Sequence, residues 1–303
     1  MTDATANTDE TSIYDELPDA PPKKKLTLTW VGKLGVVVVL FWLVMVFIGP
    51  YIAPFHEADI IAYDSFMPIL STTEGEGFHL LGTDYIERDI FSRILWGART
   101  TIGIALTATV LAYIVGVTLG IAAAVAGGWT DTILSRANDA IISLPSIMLG
   151  LLAVNAFGSS IPTLILTAGA IYAASVFRIA RALGQDIMVM DFVEAARARG
   201  EGLWWVITRE VLPNAAMPLA TDFGLRLVFV VLFISSLSFL GLGIQPPMAD
   251  WGSMVRQNLD GLGYGSYAAV WPALAIATFT ISINLIVDDI SASSGGSLAK
   301  KMI

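Results

Sequence analysis

The polar segment DFVEAARARG, residues 191–200, separates two long apolar stretches and leads on to Leu212-Pro213-Asn214. Acidic residues near its start and arginines at its end suit the dipole of a short helix. Gly200 and Gly202 are expected to end that helix, and residues 203–211 to resume it with two tryptophans that favour a membrane surface. The segment therefore predicts a short helix-turn-helix against a membrane, stopped by Leu212-Pro213 before the next span.

The composition is typical of a membrane protein. Of the 303 residues, 55% are hydrophobic and only 14% are charged, and the mean hydropathy is +0.70. Soluble domains carry about 25% charged residues, so a chain this apolar needs a bilayer to cover it. The net charge of −9 and the lack of a basic patch argue against nucleic-acid binding. With no cysteine, and with His56 and His79 in one loop without ligand-like spacing, no metal site is expected.

Charge-free runs long enough to cross the bilayer predict six spans, since a crossing needs about 20 apolar residues. Residues 140–177 are too many for one crossing, and the turn-forming residues 155–162 divide them into two spans. The other spans are predicted at residues 34–55, at residues 100–130, from near Pro218 to Gly241-Leu242-Gly243, and at residues 268–287. In the second span, the spacing of Gly116 and Gly120 favours close helix packing over a role in gating.

Basic residues indicate the orientation, because loops rich in Lys and Arg stay in the cytoplasm. With a cytoplasmic N-terminus, most basic residues lie inside and the outer side holds only Arg88, Arg93, Arg99 and Arg256. Both termini and residues 191–214 are then cytoplasmic. We expect a cytoplasmic acidic tail at residues 1–29, a first transmembrane helix and periplasmic loop at 30–98, a transmembrane domain at 99–289 and a cytoplasmic tail at 290–303.

On physical grounds the segment 191–214 is either an ordinary amphipathic loop or a docking element, with its small alanines exposed to let a partner pack closely. The spacing of Glu194-Ala195-Ala196, Gly200, Ile207 and Leu212-Pro213 resembles the signature of type I ABC importer permeases. Further motifs between residues 30 and 289 resemble the C-type subunit of dipeptide and oligopeptide permeases. They are His79-Leu80-Leu81-Gly82-Thr83-Asp84 with Arg88-Asp89 and Ser92-Arg93, Gly97-Ala98-Arg99, Gly127-Gly128-Trp129 with Asp131, Leu144-Pro145-Ser146, and residues 237–247 with Trp251-Gly252.

This resemblance implies an all-α membrane protein with six transmembrane helices, in which the cytoplasmic segment forms coupling helices. It implies a heteromeric inner-membrane importer of peptides or peptide-like solutes, with a homologous permease, two ABC ATPases and a periplasmic solute-binding protein as partners, in contact with membrane lipid. The chain has no phosphate-binding loop. We therefore expect no catalytic activity and no cofactor in this chain, with ATP and Mg bound by the partner ATPases. The ATPase-docking residues would be Glu194, Ala195, Ala196, Gly200, Ile207, Leu212 and Pro213.

Two further groups are candidate sites. Asp222 and Arg226 lie four residues apart in the fifth span, where charges are costly, and are either a self-neutralising pair, which we favour, or a gate or cargo contact. The outer loops carry charged and aromatic residues that either anchor the chain at the membrane surface, as snorkelling Arg88, Arg93 and Arg99 would, or contact the binding protein. The candidate contact residues are His79, Asp84, Arg88, Asp89, Asp250 and Trp251.

The chain departs from the family pattern at three places. Glu87 stands where a Gly is usual, Ile234 where a Glu is common, and Asp288-Asp289-Ile290 begins an altered ending, so family roles at these positions are not carried over. Two other classes remain as alternatives. An ion-coupled secondary transporter would use intramembrane charges such as Asp222, whereas a membrane-embedded enzyme would need a nucleophile and base that the spans do not show.

Overall fold

The structure, a computed structural model, describes residues 28–73 and 77–299, with side chains described up to residue 292. The predicted acidic tail falls outside these residues except for its last two positions. Ten α-helices lie in the described ranges: α1 Trp30–Ile52, α2 Ile90–Ala126, α3 Gly128–Ile142, α4 Ser146–Phe157, α5 Ile161–Met188, α6 Asp191–Ala198, α7 Leu203–Val206, α8 Leu212–Phe239, α9 Trp251–Gln257 and α10 Val270–Ala299. A short antiparallel hairpin, β1 Ser71–Thr73 and β2 Gly77–His79, lies between α1 and α2.

Five helical segments of the described chain are long and apolar enough to cross a membrane: α1, α2, α5, α10 to Ala292, and the continuous stretch Leu203–Phe239. A sixth span exists if α3 and α4, which meet at an angle of 85°, are one broken crossing. The predicted fold class, an all-α membrane protein with about this number of spans, is confirmed.

The third predicted span is not a straight helix. The predicted break at residues 155–162 is confirmed, since α4 ends at Phe157 and the Ser160 hydroxyl caps the start of α5. However, α4 has only 12 residues, which is about 18 Å at 1.5 Å per residue, too short for a hydrocarbon core of about 30 Å. Pro145 explains the bend, because it has no N–H to continue α3 while its carbonyl accepts hydrogen bonds from Met148 and Leu149 at the start of α4.

Two helices run across boundaries predicted from the sequence, those after residues 98 and 289. Asp89 starts α2 before the expected boundary at residue 99, because its carboxylate accepts a hydrogen bond from the Ser92 N–H at 2.7 Å and caps the helix. At the other end, α10 continues past residue 289 to Ala299, so much of the predicted C-terminal tail is helical. The charged residues at these two boundaries, Arg99 and Asp289, lie inside the helices α2 and α10.

The helices α2 and α5 pack with their backbones in contact. A Cβ atom on Gly116 would lie 2.7 Å from the carbonyl oxygen of Ala173, and one on Gly120 would lie 2.6 Å from that of Phe177. The expected role of these glycines in helix packing is thus confirmed. The α3 helix is held to α5 by ion pairs, in which Arg181 binds Asp131 with two nitrogens and Arg178 Nη2 lies 3.2 Å from Asp139 Oδ1.

Buried apolar side chains form two separate clusters. The larger one joins α1, α2, α4, α5, α8, α9 and α10 and includes Trp42, Phe279 and Ile234. The smaller cluster lies where the C-terminal ends of α2 and α5 meet the segment from α6 to the beginning of α8. The smaller cluster therefore attaches the polar segment, residues 191–200, to the transmembrane helices.

We predict that Gly120→Ala destabilises the protein although alanine favours helices by about 1 kcal/mol. The added methyl group would lie against the Phe177 carbonyl oxygen and 2.8 Å from the Ala180 Cβ, and such overpacking costs about 1–3 kcal/mol. Gly103→Ala is the matched control in the same helix, because no atom lies within 4 Å of its added Cβ. Thermal unfolding in detergent should show a lower midpoint for Gly120→Ala only, and equal midpoints would contradict the packing argument.

Candidate docking site

The α6 helix ends in a tight turn that requires glycine. Gly200 has φ +85° and donates its N–H to the Arg197 carbonyl at 2.9 Å, while the Glu201 N–H reaches the Ala196 carbonyl at 3.2 Å. These two bonds form a Schellman motif, whose left-handed residue is usually glycine because a Cβ is unfavourable there. Gly200 therefore fixes the direction in which the chain leaves α6.

One face of α6 is buried in the protein and the other is exposed. Val193 and Ala196 are fully buried, whereas Glu194, Ala195 and Ala198 are exposed. The predicted exposure of the alanines is therefore correct for Ala195 but wrong for Ala196, because residues three apart on this short helix face the same side. Of the three predicted docking residues on α6, Glu194 and Ala195 are therefore the exposed ones.

The buried side of this segment rests on three transmembrane helices. Val193 of α6 packs in one cluster with Val206 of α7 and with residues of α2, α5 and α8: Ile121, Ala180, Ile187, Ala215 and Leu219. Trp205 is half-buried against the same cluster, and the Arg199 guanidinium lies 5.9 Å from its ring centre. These contacts hold the turn firmly against the helix ends.

The helix that follows the turn does not stop at Leu212-Pro213 as predicted. It passes from α7 through the π-helical residues Ile207–Val211 directly into α8, and the Leu212 N–H bonds to the Ile207 carbonyl five residues back. Pro213 lies in the first turn of α8, where a missing N–H is tolerated. Ile207 and Leu212 are half-buried and Pro213 is exposed, so the seven predicted docking residues do not share one surface.

Large exposed apolar side chains lie next to the turn along the chain, and no sequence motif assigns a role to most of them. They are Val189, Met190, Phe192, Leu203 and Trp204, and Val189 and Trp204 are 84% and 77% exposed. Exposed apolar groups of this size indicate contact with a partner or with the membrane surface. Their occurrence inside an otherwise polar segment was the signal that could have identified them.

The predicted contact residues in the loop between α1 and α2 are buried instead of exposed. Asp84 accepts hydrogen bonds from the backbone N–H of Ile86 and of Arg88 and pairs with the Arg88 Nε at 2.7 Å, while the Arg93 Nε lies 3.6 Å away. Arg88 and Arg93 are 2% and 1% exposed. An exposed contact with the binding protein and snorkelling at the membrane surface are therefore both wrong for Arg88 and Arg93, and Arg99 alone of the three arginines is exposed.

The other predicted contact residues, in the same loop and in the segment between α8 and α10, are also internal. His79 is fully buried between the Asp89 carboxylate, at 3.0 Å, and the Thr73 hydroxyl, at 3.1 Å. The Trp251 ring N–H donates to the Ile94 carbonyl at 3.0 Å. Buried charges and ring nitrogens need such partners, so these residues hold the loop structure together instead of meeting a second protein.

Asp250 joins the segment between α8 and α9 to α2. Its carboxylate accepts hydrogen bonds from the Thr101 hydroxyl and the Ser253 N–H, both at 2.9 Å, and the latter caps α9. Burial raises the pKa of the Asp250 carboxyl, and these hydrogen bonds oppose the rise. The residue thus serves as an internal cap and not as a surface charge.

Asp222 and Arg226 form the expected pair and have a third partner. The Arg226 Nε lies 3.1 Å from the Asp222 Oδ1, and the Tyr113 hydroxyl of α2 donates to Asp222 Oδ2 at 2.5 Å. The role of Tyr113 is not visible in the sequence, since no local pattern connects it with Asp222, which is 109 residues away on another helix. The pair is neutral overall and links α8 to α2.

Two of the departures from the family pattern have clear structural settings. Ile234 is fully buried in the larger apolar cluster, where an apolar side chain is favourable. Glu87 has φ +69°, a left-handed conformation that costs a residue with a side chain about 1–2 kcal/mol relative to glycine. Its carbonyl accepts the N–H groups of Ile61 and Ala62, so the strained residue holds two parts of the loop together.

Comparison with known proteins identifies the family. Residues 116–292 match the family described as binding-protein-dependent transport system inner membrane component. The chain belongs to this family. It is a multi-pass permease of the inner membrane, working as a transmembrane component of a transport complex, and the alternative of an ion-coupled secondary transporter is thereby excluded.

Curated relatives match the permease over most of their length. The glutathione transport system permease protein GsiD of Pectobacterium atrosepticum is 31% identical over 82% of this chain and 81% of its own. The di/tripeptide transport system permease protein DppC of Pseudomonas aeruginosa is 30% identical over 82% of this chain and 83% of its own. A solved methionine ABC transporter in inward-facing conformations has 16% identity and a TM-score of 0.49, covering 65% of this chain and 95% of that one.

We predict that Gly200→Ala weakens the turn after α6 by about 1–2 kcal/mol, because alanine is strained at φ +85°. Gly202→Ala is the control, since Gly202 has φ −74° and no atom lies within 4 Å of an added Cβ. Hydrogen exchange of the permease should show faster exchange at the Glu201 amide, which bonds across the turn, in Gly200→Ala only. Unchanged protection in both variants would mean that the turn does not depend on glycine.

Proposed function

We propose that this permease conducts peptides or peptide-like solutes across the inner membrane in an ATP-driven importer. In the proposed complex a homologous permease completes the channel, two cytoplasmic ATPases supply the energy and a periplasmic binding protein delivers the solute. The names of the relatives that transport glutathione and di- or tripeptides support the cargo class. The excess of basic residues on one side supports cytoplasmic termini.

The α6 turn is the observation that carries the proposal. Its exposed side, with Glu194 and Ala195, projects from the protein, whereas its buried side is packed on the ends of α2, α5 and α8. A small residue such as Ala195 allows another protein to approach the backbone closely. A rigid projection attached to three transmembrane helices can transmit a movement of the ATPase to all three.

The apolar side chains around the turn extend the proposed contact. Val189 and Leu203 are exposed on either side of α6 along the chain, at 84% and 56%. We assign them to the rim of the ATPase cleft, because burial of such groups favours association by about 25 cal/mol per Å². Glu194 would add a charged contact at the centre, and Ala196 would act from inside by holding α6 in place.

We expect Ala195→Arg to reduce ATP-dependent uptake at least about tenfold, which corresponds to about 1.4 kcal/mol of lost docking energy. The reason is steric, since a long charged side chain would replace a methyl group at the centre of the contact. Ala137→Arg provides the control, because Ala137 is also an exposed alanine and lies on α3. Uptake of a radiolabelled di- or tripeptide into membrane vesicles, with and without ATP, measures the effect at matched protein levels.

Three results would refute the proposal in different ways. Uptake driven by an ion gradient without nucleotide would refute the proposal that this is an ATP-driven importer. Normal uptake by Ala195→Arg would refute the proposal that the ATPase docks on α6. Equal losses in Ala195→Arg and Ala137→Arg would show that the effect is not specific to α6.

We further propose that the Asp222–Arg226 pair, held by Tyr113, is a latch between α2 and α8 near the inner side. The single variant Asp222→Asn should lose coupled uptake, since Arg226 is left without its carboxylate in the membrane. The double variant Asp222→Asn/Arg226→Gln restores neutrality and should recover protein abundance but not uptake. Wild-type uptake in either variant would show that the pair serves folding alone.

A further inference from the structure

A polar pocket lies at the end of α8 that is remote from the α6 turn. Its volume is about 440 Å³, within the range of about 300–1,000 Å³ that is usual for small-ligand sites. Because α8 has 28 residues, or about 42 Å at 1.5 Å per residue, the pocket is far from the proposed ATPase contact. With the proposed cytoplasmic termini it lies on the periplasmic side, and we call it the outer pocket. Its polar lining includes Tyr85, Gln245, Arg256, Gln257 and Asp260.

Two opposite charges line the outer pocket without ion-pair partners. Arg256 and Asp260 are both exposed. In the described part of the chain neither forms a salt bridge, whether with the other or with a third group. A pocket that presents one cation and one anion in this way is complementary to a ligand that carries both charges.

The position of the Arg256 guanidinium depends on a glycine. Gly241 has φ +86°, and a Cβ on it would lie 2.9 Å from the Arg256 Cζ, too close for any side chain. The guanidinium therefore lies against the Gly241 backbone, and among the described residues it has no hydrogen-bond acceptor. An arginine in this state can bind a carboxylate through two parallel hydrogen bonds.

Asp260 is carried by a turn that a buried side chain holds in place. Asn258 is fully buried, and its side chain accepts a hydrogen bond from the Tyr85 N–H at 3.1 Å and donates one to the Met254 carbonyl at 2.8 Å. Its own carbonyl accepts the N–H of Gly261 at 3.1 Å. These three bonds fix the turn on both sides of Asp260.

Two neutral side chains of the outer pocket suit a peptide bond. Gln245 donates through its amide nitrogen to the carbonyls of Gly241 and Gly243, at 3.2 and 3.0 Å, so its oxygen is left as an acceptor. Gln257 accepts from the Arg88 Nη2 through its oxygen, at 3.3 Å, so its amide nitrogen is left as a donor. One acceptor and one donor match the N–H and the C=O of a peptide bond.

We propose that the outer pocket binds both charged ends of a short peptide, with the C-terminal carboxylate on Arg256 and the N-terminal ammonium on Asp260. The inference rests on the proposed function and adds a site of solute recognition within the permease itself. Every unmodified linear peptide carries these two groups, so the site accepts peptides with different side chains. A peptide with one end blocked loses one of the two ion pairs.

Ligand-observed NMR tests the proposal on the purified, assembled transporter without its binding protein, in nanodiscs of phosphatidylglycerol. The probes are alanyl-alanine, its C-terminal amide and its N-acetyl form. The wild-type transporter should bind alanyl-alanine at least about tenfold more tightly than either blocked form, because a hydrogen bond between charged groups contributes about this factor to binding.

Variants of the two charges assign each end of the peptide. Arg256→Gln should bind the free acid and the amide equally while still rejecting the N-acetyl form, and Asp260→Asn should show the reverse pattern. Arg99→Gln and Asp64→Asn are the matched controls, because they neutralise exposed charges that do not line the outer pocket, and they should keep both preferences. Equal binding of the three probes to the wild-type transporter, or no binding at millimolar concentration, would overturn the proposal. Preferences that survive in Arg256→Gln and Asp260→Asn would also overturn it.

A lipid headgroup is the competing ligand, since phosphatidylethanolamine also carries one negative and one positive charge. Repeating the titration in nanodiscs that contain phosphatidylethanolamine should leave the binding of alanyl-alanine unchanged. Loss of that binding would assign the outer pocket to the lipid and overturn the proposal.

The inference and the proposed function can fail separately. Uptake that needs no ATP would refute the importer without changing the preferences among the three probes. ATP-driven uptake by a transporter that shows no such preferences would leave the importer in place and remove the peptide from the outer pocket.

Discussion

The structure depends on the contact between the backbones of α2 and α5. Gly116 and Gly120 have no side chain, so these helices approach closely enough for carbonyl oxygens of α5 to touch the α2 backbone. In a bilayer, where burial from water does not drive helices together, such close packing is a main source of association. The two apolar clusters lie at different heights of this helix pair, and the α6 turn is attached at its C-terminal end.

Polar groups are tolerated in this apolar chain because they are paired at short range. Asp84 joins Arg88 and Arg93, His79 joins Asp89, and the Asp222–Arg226 pair is completed by Tyr113. Each set supplies partners that neither lipid nor an apolar core would provide. The pairing is incomplete in the described part of the chain, because Arg93 Nη2, the Asn138 amide nitrogen and the Ser235 hydroxyl are buried without a hydrogen-bond partner.

Much of the fold could be predicted from hydropathy, because long charge-free runs have few structures available in a membrane. The break between α4 and α5 was predictable from the Gly, Ser and Pro residues around Gly158, and the end of α6 from Gly200. The bend at Pro145 was not predicted, because the apolar run continues through it. The buried loop charges were misjudged for a different reason: exposure depends on partners distant in sequence, such as Glu57, whose carbonyl accepts a hydrogen bond from Arg93. The candidate docking residues were identified from spacing alone, and spacing could not show that Ala196 faces inward.

Two loops, the one between α1 and α2 and the one between α8 and α10, hold each other, and this limits how the protein can evolve. Arg88 of the first loop bonds to Gln257 beyond α8 at 3.3 Å, and the Tyr85 N–H bonds to the Asn258 side chain at 3.1 Å. A Cβ on Gly261 would also collide with the Phe66 ring of the first loop. A substitution in either loop therefore changes the fit of the other, so the loops should co-vary. An exchange of this region between related transporters should succeed only when both loops are transferred together.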